Sequence, residues 1–230
     1  MSEHYFSAQP QAARRPRTVT VALRGREYVF VTDAGVFSRG RVDKGTRLLI
    51  EHLPLPAAGP VLDLGCGYGP VGVVVAAESP AARVLMVDVN ERAVALAREN
   101  LARNGIGNAS AVVGDGFGPA AGRKFSLIVS NPPIRAGKRV VYGWVEEAYR
   151  HLEPGGRLLM VARTSQGARS LAQHMAAVFG NVREVAKGGG YRVLEAVREE
   201  QGAPVGEEAD SPAWNEARGQ AREGEGGPAV

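Results

Sequence analysis

The chain has 230 residues, 44% of them hydrophobic, with a formal net charge of +4, enough apolar material for one domain with extensions. Its single cysteine, Cys66, excludes an internal disulfide and a cysteine-rich metal site. Apolar runs such as Val73–Ala77 are far too short to cross a bilayer, and no signal-like segment follows Met1, so a soluble cytoplasmic protein is expected.

Residues 1–17 are polar and carry Arg14, Arg15 and Arg17, which reads as a loose basic arm. Thr18–Leu23 and Glu27–Val31 flank Arg24-Gly25-Arg26 and predict a β-hairpin. Gly35–Ser38 reads as a further short strand, and Asp43 as the N-cap of a helix running toward Leu53. From Pro60 onward short apolar strands alternate with helices. Strands are predicted at Val61–Leu64, Arg83–Val87, Ser110–Val113, Phe125–Ser130 and Arg157–Ala162. Helices are predicted at Val71–Glu78, Glu91–Asn104, Val141–Leu152 (stopped by Glu153-Pro154-Gly155-Gly156) and Gly167–Phe179. Val182–Ala186 and Arg192–Val197 read as a closing antiparallel pair. Strands without a polar face indicate a mostly parallel sheet covered on both sides, an α/β class.

Charge is uneven. Residues 199–230 hold eight acidic and two basic side chains, net −6, and residues 1–198 are net +10. The Gly-, Pro- and Glu-rich tail predicts disorder. The basic remainder suits a polyanion such as RNA, although charge alone also fits a merely soluble basic protein.

Val61-Leu-Asp63-Leu-Gly65-Cys66-Gly67-Tyr-Gly69-Pro-Val-Gly72 is a strand, a glycine turn and a helix start. Gly67, Gly69 and Gly72 match the dinucleotide spacing G-x-G-x-x-G, by itself a weak signal. An acid before the turn, Asp63, would repel a pyrophosphate and suits the cationic amino group of a methionine. Asp88, in Val87-Asp88-Val89-Asn90, can accept ribose hydroxyls, or else cap the next helix, which Asn90 could do equally well. Asp115, in Gly114-Asp115-Gly116, can accept from an adenine amino group or form an Asx turn. Three acids at three successive strand tips lie on the edge where open α/β sheets bind ligands, and they favour S-adenosylmethionine.

The fourth strand ends in Asn131-Pro132-Pro133. Two prolines end the ladder, fix φ and leave two acceptors, the Asn131 side-chain oxygen and the Pro132 carbonyl. Two acceptors suit both hydrogens of a planar –NH2 group. Arg135, Lys138 and Arg139 follow and could hold phosphates. The four histidines are scattered and no metal-ligand spacing is evident, so neither a metal nor a histidine base is expected. Trp144 and Tyr149 read as core residues.

These motifs resemble those of class I methyltransferases. Gly35-Val-Phe37-Ser38, Arg41-Val-Asp-Lys-Gly45-Thr46, Asn131-Pro132-Pro133-Ile134-Arg-Ala-Gly-Lys138 and Gly189-Gly-Tyr-Arg-Val193 are similar to segments of the methyltransferase small-domain family, which includes ribosomal RNA guanine-N2 methyltransferases. The resemblance spans roughly His4–Val197. It implies a Rossmann-like, mostly parallel seven-stranded sheet with a small N-terminal hairpin extension and a C-terminal antiparallel pair. The implied organisation is arm 1–17, extension 18–58, cofactor-binding core 59–198 and tail 199–230.

By the same resemblance Asn131, Pro132 and Pro133 form the catalytic loop. Asp63, Gly65, Cys66, Gly67, Gly69, Asp88, Val89, Asp115, Gly116 and Asn131 bind S-adenosylmethionine, with Gly45 and Thr46 near the methionine tail. Phe37, Ile134, Arg135 and Lys138 face the substrate. Ile134 stands where many relatives place an aromatic, and Phe37 or Tyr191 is the expected substitute for stacking. The implied activity is methylation of a guanine 2-amino group in 16S ribosomal RNA or the small subunit. A protein glutamine amide or adenine N6 is the alternative acceptor, and a non-catalytic cofactor- and RNA-binding protein the alternative class. Whether the protein is a monomer or a homodimer is left open.

Overall fold

The computed structural model describes residues 13–133 and 137–199. β1 (Arg17–Leu23) and β2 (Arg26–Thr32) pair antiparallel around a two-residue turn in which Arg24 and Gly25 both have positive φ. That turn type matches the twist of the flanking strands. Arg24 is held there from outside: Nε donates to Glu78 at 2.8 Å, and Nη1 donates to the carbonyls of Ile50 and Glu51.

The hairpin is docked on the core by two asparagines one helical turn apart. Asn100 Oδ1 accepts from Val31 N at 2.7 Å, and its Nδ2 donates to Val31 O and Tyr68 O. Asn104 exchanges the same pair of bonds with Val29. A side-chain amide carries the donor and acceptor of a peptide unit, so these two residues stand in for a neighbouring strand along β2.

α1 (Lys44–Glu51) follows, with Asp43 as its N-cap. Then come β3 (Gly59–Leu64), α2 (Pro70–Glu78), β4 (Ala82–Asp88), α3 (Glu91–Arg103), β5 (Ala109–Val113) and β6 (Phe125–Ser130). After them come α4 (Lys138–His151), β7 (Leu152–Arg163), α5 (Ala168–Phe179), β8 (Arg183–Gly188) and β9 (Tyr191–Val197). The seven-stranded sheet runs β5-β4-β3-β6-β7-β9-β8, parallel except that β9 pairs antiparallel with both β7 and β8.

Continuous apolar strands are what a sheet with two covered faces requires. Alternate residues of β3 go to opposite sides: Val61 packs with α1, α2 and α3, whereas Leu62 and Leu64 pack with α4 and α5. β6 and β7 divide likewise, Leu127, Val129, Leu159 and Val161 to the first core, Ile128, Leu158 and Met160 to the second. Each such fully buried side chain contributes roughly 1.5–3 kcal/mol.

Two local expectations fail. Gly35–Ser38 is a run of turns; Gly35 and Ser38 both have positive φ, which no strand tolerates. Glu153–Gly156 is not a stop between helix and strand, because β7 begins at Leu152 directly after α4. Leu152 pairs with Phe125, and Gly155 and Gly156 exchange backbone bonds with Arg198, so tertiary partners draw turn-forming residues into the sheet. The basic arm's described end is tied down: Arg14 Nε lies 3.4 Å from the buried Asp33 carboxylate, to which Arg15 N also donates. The acidic tail from Glu200 onward, with the expectation placed on it, lies outside the described residues. Among the described residues no helix is long and apolar enough to cross a membrane.

Candidate active site

The carboxyl ends of β3, β4, β5 and β6 open into one cleft of about 540 Å³, and the loop before α1 lies across it. That volume is within the ~300–1,000 Å³ of small-molecule sites. The glycine turn after β3 is bound to the tip of β4. Gly65 N and Cys66 N both donate to Val87 O, and Gly67 N donates to Asp88 Oδ2 at 2.8 Å. Gly65, Gly67 and Gly69 all have positive φ, so the turn needs glycine for conformational reasons.

Asp88 Oδ1 also accepts from Asn90 N at 2.9 Å. Asn90, not Asp88, caps α3, accepting from Ala93 N. Asp88 therefore organises the loop while lining the cleft, where its carboxylate can also meet a ligand. Burial raises its pKa above the ordinary carboxylate value, against the opposing pull of the backbone N–H groups. Asp63 sits beneath the same turn, 2% exposed, and accepts from Gly72 N at 2.8 Å. It thus satisfies one of the orphan donors in the first turn of α2, and its Oδ1 is uncommitted among the described residues.

Asn131, Pro132 and Pro133 line the opposite wall. Asn131 Nδ2 donates to Thr46 Oγ1 at 2.8 Å, which sets the amide's orientation and leaves Oδ1 as its accepting end. Thr46 is itself fixed, since the Asp43 carboxylate accepts from Gly45 N and Thr46 N. Tyr191 Oη donates to the other Asp43 oxygen at 3.3 Å and receives Arg163 Nε at 3.3 Å. A Cβ on Gly45 would stand 2.6 Å from the Tyr191 ring, so glycine is what lets this first helical turn meet β9.

The remaining predicted residues divide. Phe37, Gly65, Cys66, Gly67, Val89, Asp115 and Gly116 line the cleft. Gly45 and Gly69 do not; they shape its walls from behind. Lys138 is exposed at the start of α4 and is not brought into the lining. Ile134 and Arg135 lie outside the described residues. Cys66 is buried, its thiol pKa pushed well up by burial, and its Sγ donates to Gly67 O, which marks it as a packing residue. His52, His151 and His174 lie away from the cleft.

Trp144, expected in the core, is half-buried and forms a cleft wall; its ring is 3.3 Å from where a Cβ on Gly65 or Gly116 would be. Two distant glycines leaving room for one indole is the signal that sequence reasoning missed. Among the described lining residues are four acidic side chains, Asp43, Asp63, Asp88 and Asp115, against one lysine or arginine, Arg163. Such a cleft attracts a cationic ligand and repels a phosphate.

Asp63 yields a pH test. Burial raises its pKa from 3.8 to about 7, with the Asp88 charge adding to the rise and the Gly72 N–H opposing it. The folded state keeps the proton up to about pH 7 while the unfolded chain releases it near pH 4. The resulting stability is present below pH 4 and is lost as pH rises toward 7. The Asp63→Asn variant is free of this loss. Its Tm relative to the natural protein is expected to rise by at least about 5 °C between pH 5 and pH 8, on ~1.4 kcal/mol per pKa unit and ~2–4 °C per kcal/mol. A Tm difference independent of pH would contradict the raised pKa.

The family model described as methyltransferase small domain matches residues 27–195. The chain is 41% identical over 198 residues to the uncharacterized protein YbxB of Bacillus subtilis, covering 85% of this chain and 98% of that one. It is 39% identical over 168 residues to the ribosomal RNA small subunit methyltransferase C of Pseudomonas putida, covering 71% of this chain but only 49% of the relative. Among solved structures, the T. thermophilus 16S rRNA N2 methyltransferase RsmC, in complex with AdoMet and guanosine, superposes with a TM-score of 0.72 at 29% identity. That match covers 80% of this chain and 51% of the other, so this chain spans about half the length of the named rRNA methyltransferases. With the match extending over most of the sheet, its closing antiparallel pair and the cleft, the chain belongs to the methyltransferase small-domain family.

Proposed function

We propose that the protein transfers the methyl group of S-adenosylmethionine to the exocyclic 2-amino group of a guanine in 16S ribosomal RNA. The observation that carries this reading is the Thr46-anchored Asn131 amide beside the Pro132 carbonyl. Anchoring one Nδ2 hydrogen on Thr46 fixes the amide's orientation, so that Asn131 Oδ1 and Pro132 O are the acceptors it offers the substrate. An –NH2 group offers two donors. Its nitrogen is a poor nucleophile because the lone pair is delocalised into the ring. Holding both hydrogens out of plane localises that pair and aims it, a positional and electrostatic gain that needs no strong base.

The cleft suits the cofactor on observations of its own: an acidic lining for a cationic ligand, a positive-φ glycine turn that admits a close approach, and the Asp88 carboxylate in the lining. When bound, S-adenosylmethionine supplies an electrophilic methyl group on a sulfonium. In this reading Asp63 holds the methionine amino group, Asp88 the ribose hydroxyls, and Asp115 with Gly116 the adenine, against the Trp144 wall. The AdoMet and guanosine of the T. thermophilus structure support both the cofactor and the purine.

The test is methyl transfer from labelled S-adenosylmethionine to small ribosomal subunits, naked 16S rRNA and bulk protein, followed by nucleoside analysis. Label in N2-methylguanosine is expected. Label in N6-methyladenosine or in protein glutamine would move the reading to the other acceptors, and no transfer to RNA would overturn it.

A further inference from the structure

The acidic cleft has a rim of opposite sign. Phe37 and Ser38 line the cleft, and the chain continues directly into Arg39, Gly40 and Arg41. This turn is clasped to the start of the hairpin. Gly40 N donates to Thr32 Oγ1 at 2.8 Å, Thr32 pairs with Arg17, and the Arg17 side chain passes 3.7 Å from where a Gly40 Cβ would be. Arg39 Nη2 donates to Arg15 O at 3.1 Å, which draws the preceding segment alongside. Arg14, Arg15, Arg17, Arg39 and Arg41 are thereby gathered beside the cleft mouth, and all five are exposed. Among the described residues, two acids lie near them. Asp33 is fully buried beneath the row, taking backbone N–H groups of Arg15 and Ala34 with Arg14 at its edge, and Asp43 is turned into the cleft as a helix cap.

We propose that this arginine row is a docking surface for the sugar–phosphate backbone of a single-stranded RNA segment whose target base enters the cleft past Phe37. The inference rests on the RNA reading above and deepens it. Charge sorts the parts of a nucleotide here. The acidic lining inside disfavours a phosphate but admits a neutral base, and the exposed guanidinium groups outside hold the phosphates that stay behind. The row contains no lysine; the first lysine of the chain is Lys44. Planar guanidinium forks match phosphate oxygens in pairs. The basic arm of the sequence thus gains a role in substrate capture, separate from cofactor binding.

The test is fluorescence anisotropy of a labelled single-stranded 16S rRNA segment across a salt series, with the full chain. The double variant Arg15→Gln/Arg41→Gln removes two charges whose side chains neither line the cleft nor hold the fold. A matched control, Arg83→Gln/Arg123→Gln, removes two charges at the opposite, amino-terminal edge of the sheet. Each phosphate contact contributes about 0.7 to the log–log salt slope, so the rim variant should bind with a slope shallower by about 1.4, and the control with the natural slope. Affinity for S-adenosylhomocysteine should be the same in all three proteins, and the rim variant should raise KM for RNA with kcat unchanged. An unaltered slope in the rim variant would overturn the docking surface while leaving the RNA reading intact. A natural protein that binds the RNA no better than an unrelated protein of equal charge would overturn both.

Discussion

Replacing Asn131 by alanine is expected to lower kcat by about 10²–10³-fold while changing affinity for S-adenosylhomocysteine no more than a few-fold. The magnitude is that of removing one preorganised polar group aimed at a reacting centre. The side chain is preorganised in a specific sense: Nδ2 is committed to Thr46 Oγ1, Thr46 N to the Asp43 carboxylate, and Asp43 to Tyr191. The amide cannot rotate to present its nitrogen to the substrate without breaking the first of these bonds. Thr46→Val removes that anchor and leaves Asn131 in place, so an intermediate loss of about tenfold is expected, at ~1.4 kcal/mol for one neutral hydrogen bond. Thr46→Ser should restore most of it. Single-turnover rates with saturating cofactor separate these effects from binding. A fully active Asn131→Ala enzyme would remove the amide from the reaction and leave the Pro132 carbonyl insufficient as an explanation.

Asp88→Asn should have its main effect on the cofactor, raising Kd by about 100-fold. In the natural protein both carboxylate oxygens accept backbone N–H groups, from Gly67 and Asn90. An amide is nearly isosteric but has one acceptor, so one of those N–H groups must face an –NH2. Each buried donor left unsatisfied costs about 1–3 kcal/mol, and a ligand hydroxyl loses its charged acceptor as well. Together these come to about 3 kcal/mol, or two powers of ten. The damage should reach the whole glycine turn, because Gly67 N is one of three donors tying it to the end of β4. Calorimetric titration with S-adenosylhomocysteine reads the affinity, and circular dichroism checks that the fold is retained. Undiminished affinity would show that Asp88 shapes an unliganded loop only.

The difference between legible and illegible features follows from the range of the interactions involved. Asp43 at a helix start, Arg24-Gly25 between alternating strands and the glycines after β3 are dictated by neighbours a few residues away, and each is visible as a pattern. The same holds for unbroken apolar strands, which require a covered sheet whatever covers it. Asn100 in α3 and Asn104 at its C-cap look like ordinary polar residues, yet they serve as the missing strand beside β2. Trp144 has the spacing of a core residue and becomes a cleft wall because Gly65 and Gly116, on two other loops, leave room for its ring. Glu153–Gly156 has turn chemistry and is nevertheless a strand, since Phe125 and Arg198 supply partners from far along the chain.

The candidate site shows the same division. By itself the sequence determined which chemistry was available: three acids at strand tips, an Asn-Pro-Pro loop with two acceptors, and an arginine-rich N-terminal segment. Only the tertiary structure decided how that chemistry is arranged. It locked the Asn131 amide onto Thr46, 85 residues earlier, turned Asp63 and Asp88 partly to structural duty, and set the arginines outside a mouth whose interior is acidic. Residue types and local spacing specify what a group can donate, accept or repel. Its orientation and its charged surroundings come from contacts between elements distant in the chain, and those exist only once the two cores have formed.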